Sequence, residues 1–102
     1  MPFLIDADDA PGVGEVRAAL RAAHLKRLED SLDVLIAAGA KLTDDGDAVG
    51  SLFLLEVDSR EQAEQFVAAD PYLVGGVYGT VTITRWRKGF FDHARVLPSV
   101  LR

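Results

Sequence analysis

The sequence predicts an α+β domain with two helices packed on one face of a four-stranded antiparallel sheet. Three observations carry this. Segments of strand and helix character follow one another as strand, helix, strand, strand, helix, strand, which is the split βαβ order of the ferredoxin-like arrangement. The 102 residues suffice for one core and are too few for two. Hydrophobic residues make up 49% and charged residues 26% of the chain, a globular balance.

The elements follow in order. "PFLIDA", Pro2–Ala7, is a short apolar run of strand type, and "DDAPGVG", Asp8–Gly14, is a loop rich in turn formers. The spacing then predicts a long helix from Glu15 to Ala38, stopped by Gly39. Ala40–Gly50 reads as a short strand and a hairpin turn around "DDGD". "SLFLLEVDS", Ser51–Ser59, is nearly continuous in apolar residues and predicts a central strand. A second helix opens with a capping box, Ser59 as N-cap and Gln62 at the third helical position, and Ala63, Phe66 and Val67 keep helical spacing. "TVTITRW", Thr80–Trp86, alternates with period two and is β-branched, the mark of a last strand. One domain spans residues 1–102, with a core over residues 3–87 and a tail over residues 88–102.

The third strand is apolar on both sides: Phe53 and Leu55 point one way, while Leu52, Leu54 and Val57 divide between the faces. The helices cover one face. A second copy of the same sheet covers the other most simply, so a homodimer built as a dimeric α+β barrel is expected. The tail carries Phe90, Phe91, Val96, Leu97, Val100 and Leu101. These would form an exposed apolar patch on a free tail, so an ordered tail lying across the partner is expected.

Charge and composition narrow the function. The net charge of −5 argues against a nucleic-acid partner, which needs clustered Lys and Arg. No apolar run approaches the ~20 residues of a membrane span, and no basic segment followed by an apolar stretch opens the chain, so a cytoplasmic protein without a membrane partner is expected. With no cysteine, thiol nucleophiles and thiolate metal sites are excluded. His24 and His93 are far apart in sequence and form no His-x₃-His pair, so no metal site is expected. "GVG" at Gly12–Gly14 lacks the third glycine of a dinucleotide site. "GGVYG" at Gly75–Gly79 follows a helical turn rather than preceding a helix, so it makes no phosphate cradle. No cofactor is expected.

The first helix holds the main anomaly. In "RAALRAAHLKRLEDSL", Leu20, His24, Leu28 and Leu35 fall on one arc at about 100° per residue, and Arg17 and Arg21 share it. Arg17 and Arg21 read as pocket or salt-bridge residues, or as a solvated face. His24 reads as a buried histidine satisfied by one hydrogen bond, or as a working base. Asp70, in "ADPYLVGG", reads as an N-cap with Pro71 at the first helical position. Together the two suggest more. In a split βαβ fold the segment after the second helix lies near the first helix. A carboxylate that orients one imidazole nitrogen leaves the other free to move a proton. Ser59 is explained as a cap, and Ser51 has no neighbouring histidine. Thr80, Thr82 and Thr84 mark a strand face, and Trp86 with Arg85 and Arg87 reads as an interface anchor in preference to a pocket wall.

Several of these residues form an ordered pattern: Arg17-x₃-Arg21-x₂-His24-Leu25, then Gly39, an apolar strand ending in Glu56, a capped helix, and Asp70-Pro71-Tyr72. This resembles the YciI-like family (YCII-related domain) over Phe3 to about Arg87. The resemblance implies a dimeric ferredoxin-like α+β barrel, with His24 and Asp70 as an acid–base pair and Tyr72 beside Arg17 and Arg21 as substrate contacts. One departure is "DDGDAVG" in the hairpin, where family members often carry Gly-Pro. The function expected is a small cofactor-independent enzyme that moves a proton in an isomerisation, elimination or dehydrohalogenation of a small hydroxylated ring or enone. The alternative is a non-catalytic module of the same fold that binds a small molecule or a protein.

Overall fold

A computed structural model describes residues 1–97. Strand β1 (Pro2–Asp9) is followed by helix α1 (Gly14–Glu29), strands β2 (Leu35–Leu42) and β3 (Ala48–Glu56), helices α2 (Arg60–Ala68) and α3 (Pro71–Val74), and strand β4 (Tyr78–Arg85). The sheet order is β2-β3-β1-β4, antiparallel throughout. This is the ferredoxin-like α+β fold the element order predicts.

Residue parity divides the sheet. Phe3, Ile5 and Ala7 of β1 and Ser51, Phe53 and Leu55 of β3 are buried, with Ile5 paired to Phe53 and Ala7 to Ser51. The intervening residues Leu4, Asp6, Leu52 and Leu54 occupy the opposite face. Val57 is buried in the core with Phe53 and Leu55.

The long first helix is corrected. It ends at Glu29 rather than Ala38, and Leu35–Leu42 forms β2. Leu28, Leu32 and Leu35 keep helical spacing, and three alanines follow, so local propensity favours continuation. A tight turn intervenes instead: the Ser31 amide donates to the Leu28 carbonyl at 3.0 Å, Val34 to Ser31 at 3.1 Å, and the Ser31 hydroxyl to the Arg27 carbonyl at 2.8 Å. The nine-residue strand β3 then supplies a hydrogen-bonding edge that β2 fills, and tertiary pairing overrides propensity. Gly39 is therefore not a helix stop; it stands in β2 opposite Leu52.

The caps of the shorter helices match their sequences. Ser59 accepts from the Gln62 amide at 3.2 Å, and Gln62 reaches back to the Asp58 amide at 2.7 Å. Asp70 caps α3 with Pro71 at its first position. At Gly75 an added Cβ would collide with Leu20 Cδ1. The missing side chain thus lets the end of α3 press against α1.

After β4 the chain forms a small hairpin of β5 (Phe90–Phe91) and β6 (Ala94–Arg95), turned by Asp92 and His93 with φ of 51° and 62°. Phe90 and Val96 are exposed on it. Val100 and Leu101, part of the expected ordered tail, lie outside the described residues. No helix among the described residues is long and apolar enough to cross a membrane.

Candidate active site

The anomalous face of α1 packs where α3 closes against the sheet. His24 is the one buried residue of α1, 7% exposed, while Leu20 and Leu28 on the same stripe are half-buried against the core. Asp70 is completely buried. Its role as N-cap points its carboxylate back over the start of α3, and Oδ1 accepts from the Tyr72 amide at 2.9 Å. The same oxygen lies 2.8 Å from His24 Nδ1. The cap and the neighbour of the imidazole are therefore one group.

The histidine ring is fixed on other sides as well. It stacks on Tyr72 with centroids 3.9 Å apart and planes within 13°, and meets the edge of Phe53 at 6.1 Å. Nε2 makes no hydrogen bond among the described residues, yet it is not among the sealed, partnerless buried atoms. His24 lines a cavity between α1 and the sheet. That cavity, about 430 Å³, is bounded by α1, by Ala38, Gly39 and Ala40 of β2, and by Ser51, Phe53 and Tyr72. The small residues of β2 leave the room that larger side chains would fill.

The two arginines have different fates. Arg17 is committed: its guanidinium donates to the Gly50 carbonyl at 2.7 Å and to Ser51 Oγ at 3.3 Å, pairs with Asp9 at 3.3 Å, and stacks over Tyr72 at 4.6 Å. Arg21 is exposed at the cavity and makes no hydrogen bond or ion pair among the described residues. Of the expected substrate contacts, the structure brings Arg17, Arg21 and Tyr72 to one cavity with His24, while Asp70 is buried away from it, and of the two arginines Arg21 has no hydrogen-bond or ion-pair partner among the described residues.

Three residues of the site were not singled out as such by the sequence. The Tyr78 hydroxyl lies 2.8 Å from Ser51 Oγ and 3.4 Å from Asp70 Oδ2. Burial pushes the Tyr78 phenol well above its usual range, with the Asp70 charge adding to the effect, so the phenol stays protonated. Burial also pushes the Tyr72 phenol up. Asp9 has one oxygen on Arg17 and the other buried without a partner, and burial raises its carboxyl although Arg17 opposes this. Ser51 carried a legible signal: it shares parity with Phe53 and Leu55 and so faces the core. Tyr78 did not, because the alternating pattern of its strand begins two residues later. His93 stands in the exposed hairpin turn, remote in the chain from these groups.

The profile of the YCII-related domain matches residues 1–87. The chain belongs to this family. Its relatives include Protein YciI of Escherichia coli, 34% identical over 98 residues that cover 88% of this chain and all of that protein. An uncharacterized protein of Haemophilus influenzae is 31% identical over the same shares. Among solved structures, this family member resembles 5-chloro-2-hydroxyhydroquinone dehydrochlorinase from Burkholderia phenoliruptrix AC1100, in complex with 2,5-dihydroxybenzoquinone. The two share 33% identity with a TM-score of 0.80, covering 92% of this chain and 99% of that one.

Proposed function

We propose that this protein is a cofactor-independent enzyme that uses His24 and Asp70 as an acid–base pair. It would act by isomerisation, elimination or dehydrohalogenation on a small hydroxylated ring or enone. The observation that carries this reading is the 2.8 Å contact between His24 Nδ1 and Asp70 Oδ1, made by a histidine that lines the cavity. A carboxylate on Nδ1 holds the proton there and leaves the Nε2 lone pair free as a base. Nε2 takes a proton from the substrate carbon or hydroxyl. The electron pair left behind forms a carbonyl or double bond; on a halogenated aromatic ring the halogen-bearing carbon takes up a proton and becomes tetrahedral, and loss of a second hydroxyl proton then expels the halide with its own bonding pair. Arg21, exposed at the cavity, would supply the cation for the developing enolate oxygen. General acid–base assistance of this kind is worth roughly 10²–10⁴-fold in rate. The likeness to a dehydrochlorinase supports the elimination branch.

The open face of the sheet supports a homodimer. Leu4, Ala37, Gly39, Leu52 and Leu54 line a shallow apolar hollow there, and a second copy would bury it. The small-molecule partner is tested directly: 5-chloro-2-hydroxyhydroquinone is incubated with the protein and chloride release is followed. Release by the wild type and none above background with His24→Ala supports the reading. No release from either, with 2,5-dihydroxybenzoquinone still shifting the His24 resonances, would favour a binding module.

A further inference from the structure

We propose that Ser51 and Tyr78 are positioning residues that tie Arg17 to the Asp70–His24 pair through one directed chain of hydrogen bonds. This rests on the acid–base reading of that pair. Oδ1 of Asp70 already serves two donors, His24 Nδ1 and the Tyr72 amide. Oδ2 has one candidate among the described residues, the Tyr78 hydroxyl at 3.4 Å. That hydroxyl has a single proton and a nearer neighbour, Ser51 Oγ at 2.8 Å. If the proton pointed to Ser51, a fully buried carboxylate oxygen would have no donor, an arrangement native structures avoid.

The need of Asp70 Oδ2 for a donor sets the direction, and Arg17 fits it. A guanidinium only donates, and one of its nitrogens lies 3.3 Å from Ser51 Oγ. Ser51 accepts from Arg17 and gives its own proton to Tyr78, and Tyr78 gives its proton to Asp70. Each group is then satisfied, and every donor points toward the carboxylate. Burial keeps the phenol protonated for this task. The charged and titratable groups around the pair are Arg17 and Arg21 from α1, Asp9 from β1, Tyr72 from α3 and Tyr78 from β4. The chain fixes the plane of the carboxylate, so Oδ1 stays on Nδ1 and Nε2 stays the free base. It also moves Arg17 from substrate contact to the head of this chain, and leaves Arg21 as the cation facing the substrate.

The test needs no substrate. Nitrogen-15 NMR at about pH 9, where an imidazole is neutral, reads the His24 tautomer and the exchange of its Nδ1 proton. Wild type shows the Nδ1–H tautomer alone. Tyr78→Phe is expected to populate the Nε2–H tautomer and to speed Nδ1–H exchange up to about tenfold, the size of one buried hydrogen bond. Ser51→Ala shifts both in the same direction by less. Ser51→Ala also carries the test if Tyr78→Phe fails to fold. Wild-type behaviour in both variants, with Asp70→Asn still changing the tautomer, overturns the chain and leaves the acid–base pair. Wild-type behaviour in all three overturns both. A response to Tyr78→Phe alone overturns the parts given to Ser51 and Arg17.

Discussion

The two faces of one sheet treat polar residues in opposite ways. On the helix-covered face, Ser51, Tyr78, Asp70, His24 and Arg17 are linked side chain to side chain within an apolar core. On the open face, Lys41 bridges Asp6 and Asp8 beside Thr80, near the water-exposed Leu52. These exposed pairs hold Lys41 charged and the Asp8 carboxyl below its usual range through direct hydrogen bonds. The difference is one of solvent. Exposed ion pairs contribute little because water competes for both partners. In the buried network each lost partner leaves a group that water cannot reach, so its members hold one another in a single arrangement. The proposed chemistry, which needs a fixed tautomer, fits the first face, and the proposed association fits the second.

Substitutions on the covered face should break this contrast hardest. His24→Ala is expected to lower turnover by roughly 10²–10⁴-fold while the circular dichroism and oligomeric state stay those of the wild type. Unchanged turnover would return His24 to a packing role. Asp70→Asn keeps the cap's shape but presents an amide to the imidazole. We expect a loss on the order of 10²-fold or more from the disturbed tautomer, read as a fall in kcat at nearly constant KM.

On the open face, Leu52→Asp should leave the subunit folded and its His24 tautomer intact. Sedimentation should show the proposed dimer weakened by at least about 100-fold, because two desolvated carboxylates cost several kcal/mol. A dimer of unchanged affinity would place the interface elsewhere.

The smallest effect sharpens the comparison at its boundary, where Asp9 ends β1. Its carboxyl is raised by burial. Ionising it therefore costs stability, and the protein is favoured below that raised value and loses this contribution as pH rises through it. Asp9→Asn does not ionise. Its stability relative to wild type should grow as pH rises from the ordinary carboxylate range through the raised value, as read from denaturant midpoints. A pH-independent difference would mean Asp9 is as well solvated as Asp8.

Much of the fold was legible because it rests on local patterns. The capping box at Ser59, the alternation over Thr80–Thr84 and the two-sided apolar run of β3 each specify an element from neighbouring residues alone. The first helix misled because Leu28, Leu32 and Leu35 satisfy the helical period, while the strand that replaces its last part draws its hydrogen bonds from β3. His24 and Asp70 were visible as two anomalies, a polar residue on an apolar stripe and a cap with a carboxylate to spare.

The sequence by itself determined the element order, the caps, and the polar residues that would have to be buried. Only the tertiary structure decided that the Asp70 cap and the His24 partner are the same carboxylate, that Arg17 is paired while Arg21 makes no hydrogen bond or ion pair among the described residues, and that Ser51 and Tyr78 stand behind Asp70. The physical reason is distance along the chain. A cap or a stripe is read within a turn or two of backbone, whereas the hydrogen bonds of this site join residues up to 46 positions apart, brought together only when the sheet registers and the helices close on it.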